Sequence, residues 1–523
     1  MLSYKRKKLK NILLYSLTVI LIGLFGYFVL WENYIEEWVV YSLNGKQEKN
    51  IISVLKVNGA ELPYDQSTNT FFCPVHLDEI GKEKELHIEI IANSPAKFII
   101  ENETFYDQIT IQDTVDFQHT IKLYANSSFY YNQYDIQFTN LPIINISNES
   151  KEVDTEYIYG SVSIIDPDYE ENESEYFIKS GSKVKIRGAS SALFPKKSYK
   201  IRLYEENRNK NLSLLGLRED SDWILDPLYT DDSRVRTKLS YDIWNKMNQD
   251  VNEEYYATLN CQFVEVFMGN EYMGLYLLKE PIDEDTVDLK KTSLLDSGIL
   301  VKGTNHDAID FSEDKISHIQ QNTYYGLEIK YPKNLSDNEF YWKQILSKMK
   351  DYYTQNITDE VIQNTFYLDN ILNYRLFILA LGAIDNYEPK NVYFSLKNLD
   401  ENTKLLLTPW DLDLTFGLEW NDDLLNSTKM YQNVENIVDL NVENSPEFAN
   451  QIKNRWKYLR ENVLNEEEIE KLLEEYYEEL TLAGAIQRDC HKWEEADLLV
   501  ELEEIKVWCI KRFQVIDQYI EGL

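Results

Sequence analysis

Hydrophobic spacing divides the chain into three regimes. Asn11 to Trp31 is an uncharged, almost unbroken apolar run, long enough to cross a bilayer core as a helix. From about Lys46 to Pro142, apolar and polar residues alternate in short runs, for example Ile51 to Val57, Glu85 to Ile91, Lys97 to Glu101, Thr120 to Tyr124 and Tyr134 to Phe138. Period-two runs broken by Asn, Asp, Ser, Pro and Gly predict a β-sandwich of immunoglobulin-like type over residues 46–142. Beyond it the two periods mix. Strands are expected at Glu156 to Ile165, Glu175 to Lys179 and Lys183 to Arg187. Gln262 to Met268, a Gly269-Asn270 turn and Glu271 to Leu278 predict a hairpin. It runs into Leu278-Lys279-Glu280-Pro281-Ile282-Asp283, a candidate hinge. Val235, Leu239, Ile243 and Met247 recur at steps of four, which predicts a helix capped by Asp232 or Ser233. Glu447 to Leu523 reads as helical, with Ile452, Trp456, Leu459, Val463, Leu472, Leu473, Tyr476 and Tyr477 at spacings of three and four. Its glutamate runs read as solvated helix faces. Residues 143–523 are therefore expected to be α+β.

One stretch, Phe366 to Gly417, orders its polar residues differently. Ile371, Leu372, Phe377, Ile378 and Leu381 have helical spacing, and Gly382 is the expected stop. Asp385 and Asn386 follow on a loop, and Asn391 stands six positions after Asp385. Asn391 to Leu396 has β character, turns through Lys397 to Thr403, returns as Lys404 to Thr408 and delivers Pro409-Trp410-Asp411-Leu412-Asp413. The predicted product is helix, acidic loop, antiparallel hairpin, acidic loop, with both loops at one end of the hairpin. As ordinary turn formers, Asp385 and Asn386 could instead simply cap a turn.

Charge orients the ends of the molecule. Lys5, Arg6, Lys7, Lys8 and Lys10 precede the apolar run, which predicts a cytoplasmic N-terminus over residues 1–10, a transmembrane helix over 11–31 and the body outside. Glu32-Asn33-Tyr34-Ile35-Glu36-Glu37-Trp38 offers no small-x-small cleavage site, so an uncleaved anchor is expected over a cleaved signal. Tyr27, Trp31, Tyr34 and Trp38 suit an interfacial aromatic belt. The formal net charge of -36 argues against nucleic acid as a partner and leaves room for basic protein substrates. With 43% hydrophobic residues, the body can bury cores and is not a disordered tail. Cys73, Cys261, Cys490 and Cys509 have no metal-ligand spacing. Cys490 and Cys509 could pair outside the cell, though four buried thiols are the plainer expectation. The six scattered histidines support neither a zinc site nor a Ser-His-Asp triad.

Phosphoryl transfer needs the polar layout of that stretch. One carboxylate orients the attacking hydroxyl, while an Asn and a second carboxylate hold magnesium against phosphates. The order Asp385, Asn391, hairpin, Asp411 follows that of protein kinases. The Asp-to-Asn spacing is six rather than five, no His-Arg precedes Asp385, and no Asp-Phe-Gly follows. Cations cluster upstream, around Lys183-Val184-Lys185-Ile186-Arg187-Gly188-Ala189-Ser190-Ser191 and Pro195-Lys196-Lys197-Ser198-Tyr199-Lys200. The backbone amides of Gly188 to Ser191, with Lys or Arg, could hold phosphates; the alternative is a basic surface hairpin. Neither a P-loop nor the usual kinase glycine loop is present. Arg234 and Arg236 sit in the first turn of a helix, where their charge opposes the dipole and hints at an anion nearby.

Together these motifs, with Asp232-Ser233-Arg234-Val235-Arg236, Gly274-Leu275-Tyr276-Leu277-Leu278-Lys279-Glu280 and Phe416-Gly417, resemble the spore coat protein kinase CotH family over roughly Leu141 to Ile520. The resemblance implies an atypical, two-lobed, protein-kinase-like α+β fold over residues 143–523 that transfers phosphate from ATP to Ser or Thr of a protein, with Mg2+ or Mn2+. It implies Asp385 as the catalytic base, and Asn391 and Asp411 as metal ligands. Asp413 is a further ligand or a support of the metal loop. On the same ground Lys197, with Arg187 and Lys200, is expected at the nucleotide phosphates, Arg234 facing them and Glu280 near the adenine. An anchor that puts this site outside the cytoplasm separates it from most ATP. A catalytically silent surface binding protein, or adhesin, of the same fold is therefore the alternative. A glycosyltransferase using Asp411-Leu412-Asp413 is a third reading, and it requires a βαβ unit leading to Asp411.

Overall fold

The computed structural model describes residues 51–523 apart from 128–130, 149–151, 189–190, 292–296, 307–308, 313–314, 316–320, 334–337, 355–356, 387–388, 420–444 and 494. The expected basic N-terminus and transmembrane run lie outside the described residues, as do Ala189 and Ser190 of the small-residue loop. Among the described residues no helix is long and apolar enough to cross a membrane. The chain forms two compact units, one reaching to Cys73 and resuming over Asp78–Phe138, the other comprising Pro74–Leu77 and Thr139–Leu523.

The first unit consists of two antiparallel sheets, of four and six strands. Its strands bury alternate residues: along Glu83–Ala92, Leu86, Ile88 and Ile90 are buried, while Glu85 and Ile91 are exposed.

The second unit is mixed α+β. Seven strands close on themselves, pairing in the order Phe177–Arg187, Ile158–Ile165, Ile143–Asn148, Cys261–Met268, Glu271–Lys279, Asp222–Asp226 and Ser198–Glu205, with the last paired back to the first. Ile143–Asn148 and Cys261–Met268 run parallel. Ile144, Val162, Val184, Ile201, Trp223, Val266 and Leu278 fill one core of this closed sheet. Because strand side chains alternate in direction, Tyr276 and Leu278 join that core, while Leu275 and Leu277 join the larger core of the unit. The strand Phe177–Arg187 is continuous where two strands were expected. Within it Gly181 lies so close to Tyr204 that an added Cβ would be 2.7 Å from its carbonyl oxygen.

The helix Arg236–Asn248 buries Val235 at its start and Leu239, Ile243 and Met247 along one face. Neither Asp232 nor Ser233 caps it. The Asp231 carboxylate does, accepting from the Arg236 N–H at 2.8 Å and pairing with the Arg236 guanidinium at 2.5 Å. The C-terminal part folds as four helices, Pro446–Asn462, Glu466–Leu482, Ala485–Lys492 and Leu498–Gly522. Asp489, on the third, is fully buried. It accepts from Lys196 Nζ at 2.6 Å, Arg234 Nε at 3.0 Å and the Leu275 N–H at 2.9 Å. Gly274 makes this approach possible, since a Cβ there would lie 2.3 Å from Asp489 Oδ1. Cys73, Cys261 and Cys509 are buried free thiols; Cys490 is half-buried and also free.

A second, five-stranded antiparallel sheet is ordered Thr323–Tyr324, Leu327–Tyr331, Ile299–Gly303, Val392–Leu396 and Leu406–Pro409. Against it lies the helix Leu368–Leu381, buried on every side from Asn370 onward. An all-round apolar helix must lie inside a core. Among its polar exceptions, Asn370 donates to the Leu407 carbonyl at 3.0 Å and accepts from the Leu407 N–H at 2.7 Å, fastening the hairpin to the helix.

Candidate active site

The two acidic loops meet at one end of that hairpin. Gly382 ends the helix in the left-handed region at φ +59°, which turns the chain at once toward Asp385. Val392 pairs with Pro409, so Asn391 and Trp410 stand side by side just past the last rung, and the Trp410 N–H donates to the Asn391 carbonyl at 3.0 Å. Asn386, fully buried, completes the junction. Its amide donates to the carbonyls of Asn391, at 3.1 Å, and Trp410, at 2.5 Å. Its own carbonyl accepts from the Tyr374 hydroxyl at 2.9 Å. The residue that caps a turn in the plainest sequence reading is thus the clasp between the two loops.

Asn391 and Asp411 both adopt positive φ, +54° and +61°. Asn and Asp are the side chains that tolerate this region best. Asp385 Oδ2 accepts from Asn391 Nδ2 at 2.8 Å, Oδ1 is paired with Lys390, and His306 Nε2 lies 3.5 Å away. Burial raises the Asp385 carboxyl above its ordinary value, Lys390 opposes the shift, and the negative charge of Asp411 adds to it.

Asp411 is exposed. Asp413, two residues on, accepts from Thr230 Oγ1 at 3.2 Å. Burial first, then the Asp411 and Asp226 carboxylates, push its carboxyl up from 3.8 to about 7. A raised carboxyl binds its proton more tightly in the folded state, so its contribution to stability declines as pH rises from about 4 to about 7. In EDTA, the melting temperature of Asp413→Asn relative to the parent should therefore increase across that window. Parallel pH profiles for the two would refute it.

Cations surround the Trp410 ring. Lys279 Nζ lies 4.8 Å from its centroid, the Arg187 guanidinium 5.7 Å and Lys302 Nζ 5.8 Å. Lys279 is buried and ion-paired with Asp226. Lys302 also lies 5.8 Å from the Tyr393 ring, its register partner across the sheet. Burial pushes its ammonium down to about 8 against the pull of Asp411.

Of the residues expected at the site, Asp385, Asn391, Asp411, Asp413 and Arg187 are gathered here. The others are engaged elsewhere. Lys197 donates to the Ala192 carbonyl at 2.9 Å. Lys200 pairs with Asp222 at 2.8 Å, alongside Arg202. The anion that Arg234 faces is Asp489, and its guanidinium is fully buried. Glu280 accepts from the Arg218 N–H at 2.8 Å and from Asn260 at 3.3 Å. Lys302, Lys279, Asp226, Lys390 and His306 were not singled out from the sequence. Lys390 alone carried a local signal, as a cation between Asp385 and Asn391.

The donor set suits a hard divalent cation, since every acceptor is a carboxylate or amide oxygen, and the Asp411 and Asp226 charges that add to burial in raising Asp413 would be balanced by one. Among the described residues no group of three or more His, Cys, Asp or Glu is placed to hold a metal ion. A magnesium shared between one or two carboxylates and a phosphate chain does not need such a cage. Asp411 ends an antiparallel hairpin rather than a βαβ unit, so the condition set for the glycosyltransferase reading is not met. A family model described as CotH kinase protein matches residues 184–516, well over half of the chain. The match takes in every residue placed at this site and none of the first unit. No curated protein matches the chain.

Proposed function

We propose that the chain, which belongs to the CotH kinase protein family, transfers the γ-phosphate of ATP to Ser or Thr hydroxyls of a protein substrate within a two-lobed, protein-kinase-like fold. The observation that supports this most is the clasp by which Asn386 holds the Asp385–Asn391 loop against Trp410, next to Asp411. Phosphoryl transfer asks little covalent chemistry of a protein and a great deal of positioning.

In this reading Asp385 accepts a hydrogen bond from the attacking hydroxyl and takes its proton as the bond to the γ-phosphorus forms, while the bond from that phosphorus to the β,γ-bridging oxygen breaks and ADP leaves. Asn391 keeps the Asp385 carboxylate oriented through its amide N–H. Lys390 balances the charge of Asp385. Asn391 and Asp411 would hold Mg2+ or Mn2+, with Asp413 as a further ligand or a support of its loop. Such a metal, when bound, neutralises charge on the phosphates. The cations around Trp410 supply the opposite half of the site.

The acidic body favours a basic, Ser/Thr-rich substrate. We place that body outside the cytoplasm, anchored by residues 11–31, on the charge of the flanks. The direct test of the metal assignment is nucleotide binding by calorimetry, with and without magnesium. Asp411→Ala is expected to lose the magnesium-dependent part of the affinity, at least the roughly 10- to 100-fold that even outer-shell partners of a metal contribute. Unchanged magnesium dependence in Asp411→Ala would remove Asp411 from the metal site.

A further inference from the structure

Several buried cations of the second unit are met by carboxylates, while Arg512 donates to the Leu379 carbonyl at 3.0 Å and the Arg375 guanidinium lies 5.3 Å from the Tyr352 ring. Lys196 and Arg234 share Asp489, Arg236 has Asp231, Lys279 has Asp226, and Arg488 has Glu265. In a chain with 89 acidic and 53 basic residues, such a partner is easily found. Lys302 is different. It lies in the middle of a sheet, on the strand Ile299–Gly303, between Glu328 on one neighbouring strand and Tyr393 on the other. Glu328 pairs with Lys330 at 2.8 Å instead. Among the described residues no carboxylate lies within ion-pair distance of Lys302, and its ammonium meets only the faces of Tyr393 and Trp410. Among the described residues Arg187, on the same indole, also has no carboxylate within ion-pair distance; it donates to Ser198 Oγ at 3.5 Å. Near them is Tyr241, whose hydroxyl is buried and has no hydrogen-bond partner among the described residues.

Partly buried cations without counter-ions are costly unless an anion completes them. Aromatic faces lower that cost without satisfying a single N–H. Two cations without a counter-ion and the unpartnered Tyr241 hydroxyl thus stand beside a loop of carboxylates. This is the complement of a phosphate chain bridged to a cation, and it does not suit a carboxylate-free, neutral ligand.

We propose that Lys302, with Arg187 beside it on Trp410, is the principal binding site for the phosphate chain of the nucleotide, in the role first expected of Lys197 with Arg187 and Lys200 in support. The inference rests on the phosphotransfer reading for its ligand, but the chemistry recognised is that of any polyphosphate. The test is a set of binding isotherms on the full-length chain with Mg-ATP, magnesium tripolyphosphate and adenosine. Lys302→Met, Lys302→Arg and Lys197→Met are run beside the parent, with circular dichroism to confirm folding. Lys302→Met is expected to weaken ATP and tripolyphosphate by roughly tenfold to a hundredfold, the worth of one hydrogen bond to a charged group. Adenosine should be unaffected, Lys302→Arg should recover part of the loss, and Lys197→Met should change nothing. Should Lys302→Met misfold, Lys302→Arg carries the test, because a point charge and a planar fork do not hold a phosphate identically. Equal ATP affinity in folded Lys302 variants and parent would overturn the assignment. Tripolyphosphate binding that depends on Lys302 in a protein that ignores ATP would keep the site and sink the kinase reading. A parent that binds neither would sink both.

Discussion

Replacing Asp385 by Asn should lower the rate of phosphate transfer by about 10²- to 10⁴-fold, the range that positioned general bases contribute, and leave nucleotide affinity within a small factor of the parent. The substitution keeps the volume and an acceptor oxygen for Asn391, but it removes the charge that Lys390 pairs with and the group that receives the proton. Because Asp385 is bonded to Lys390 and Asn391 and is not among the cations around Trp410 assigned to the phosphate chain, the loss should appear chiefly in kcat rather than in binding. Single-turnover kinetics with labelled ATP, beside a binding isotherm, separates the two. A variant that transfers phosphate at the parental rate would take Asp385 out of the chemistry. A variant that no longer binds nucleotide would reassign it to the metal.

The second large effect is structural. Asp489→Ala is expected to destabilise the second unit by about 3–5 kcal/mol, the cost of breaking a buried ion pair from one side. It leaves Lys196 and Arg234 buried without a counter-ion and the Leu275 N–H without an acceptor. Asp489→Asn should also be destabilising, because the amide keeps the shape but removes the charge and turns one of the two accepting oxygens into an NH2 donor that faces another N–H. Urea unfolding with an unchanged slope and a lowered midpoint would show this. A midpoint shifted by less than the cost of an ordinary surface substitution would mean that water or rearrangement compensates the two cations.

These two residues mark what the sequence could and could not say. The meeting of the loops that carry Asp385, Asn391 and Asp411 was legible because they lie within one continuous stretch of helix, loop, hairpin and loop, and hairpin pairing is local. The Arg236–Asn248 helix and the C-terminal helices were legible from their apolar spacing. The partners of the basic residues were not. Arg234 is held by Asp489, 255 positions away, and no periodicity records a pairing at that distance. Lys196 and Lys197 are adjacent and chemically identical, yet one is fully buried and the other only partly; either frame was open to the sequence. Lys302 looks like any lysine in a strand until the register sets it opposite Tyr393 and near Trp410. Gly274 belonged to a recognised motif, but its reason, room for Asp489 Oδ1 against the backbone, exists only in three dimensions.

The central claim is the transfer itself, and one measurement bears on it most directly. The chain from Lys46 onward is incubated with magnesium, γ-labelled ATP and a basic, Ser-rich protein, beside Asp411→Ala and Asp385→Asn. Label on Ser or Thr of the protein, present with the parent and lost in both variants, is the predicted result. Nucleotide bound by the parent with no label on any protein offered, or label that persists in both variants, would contradict it.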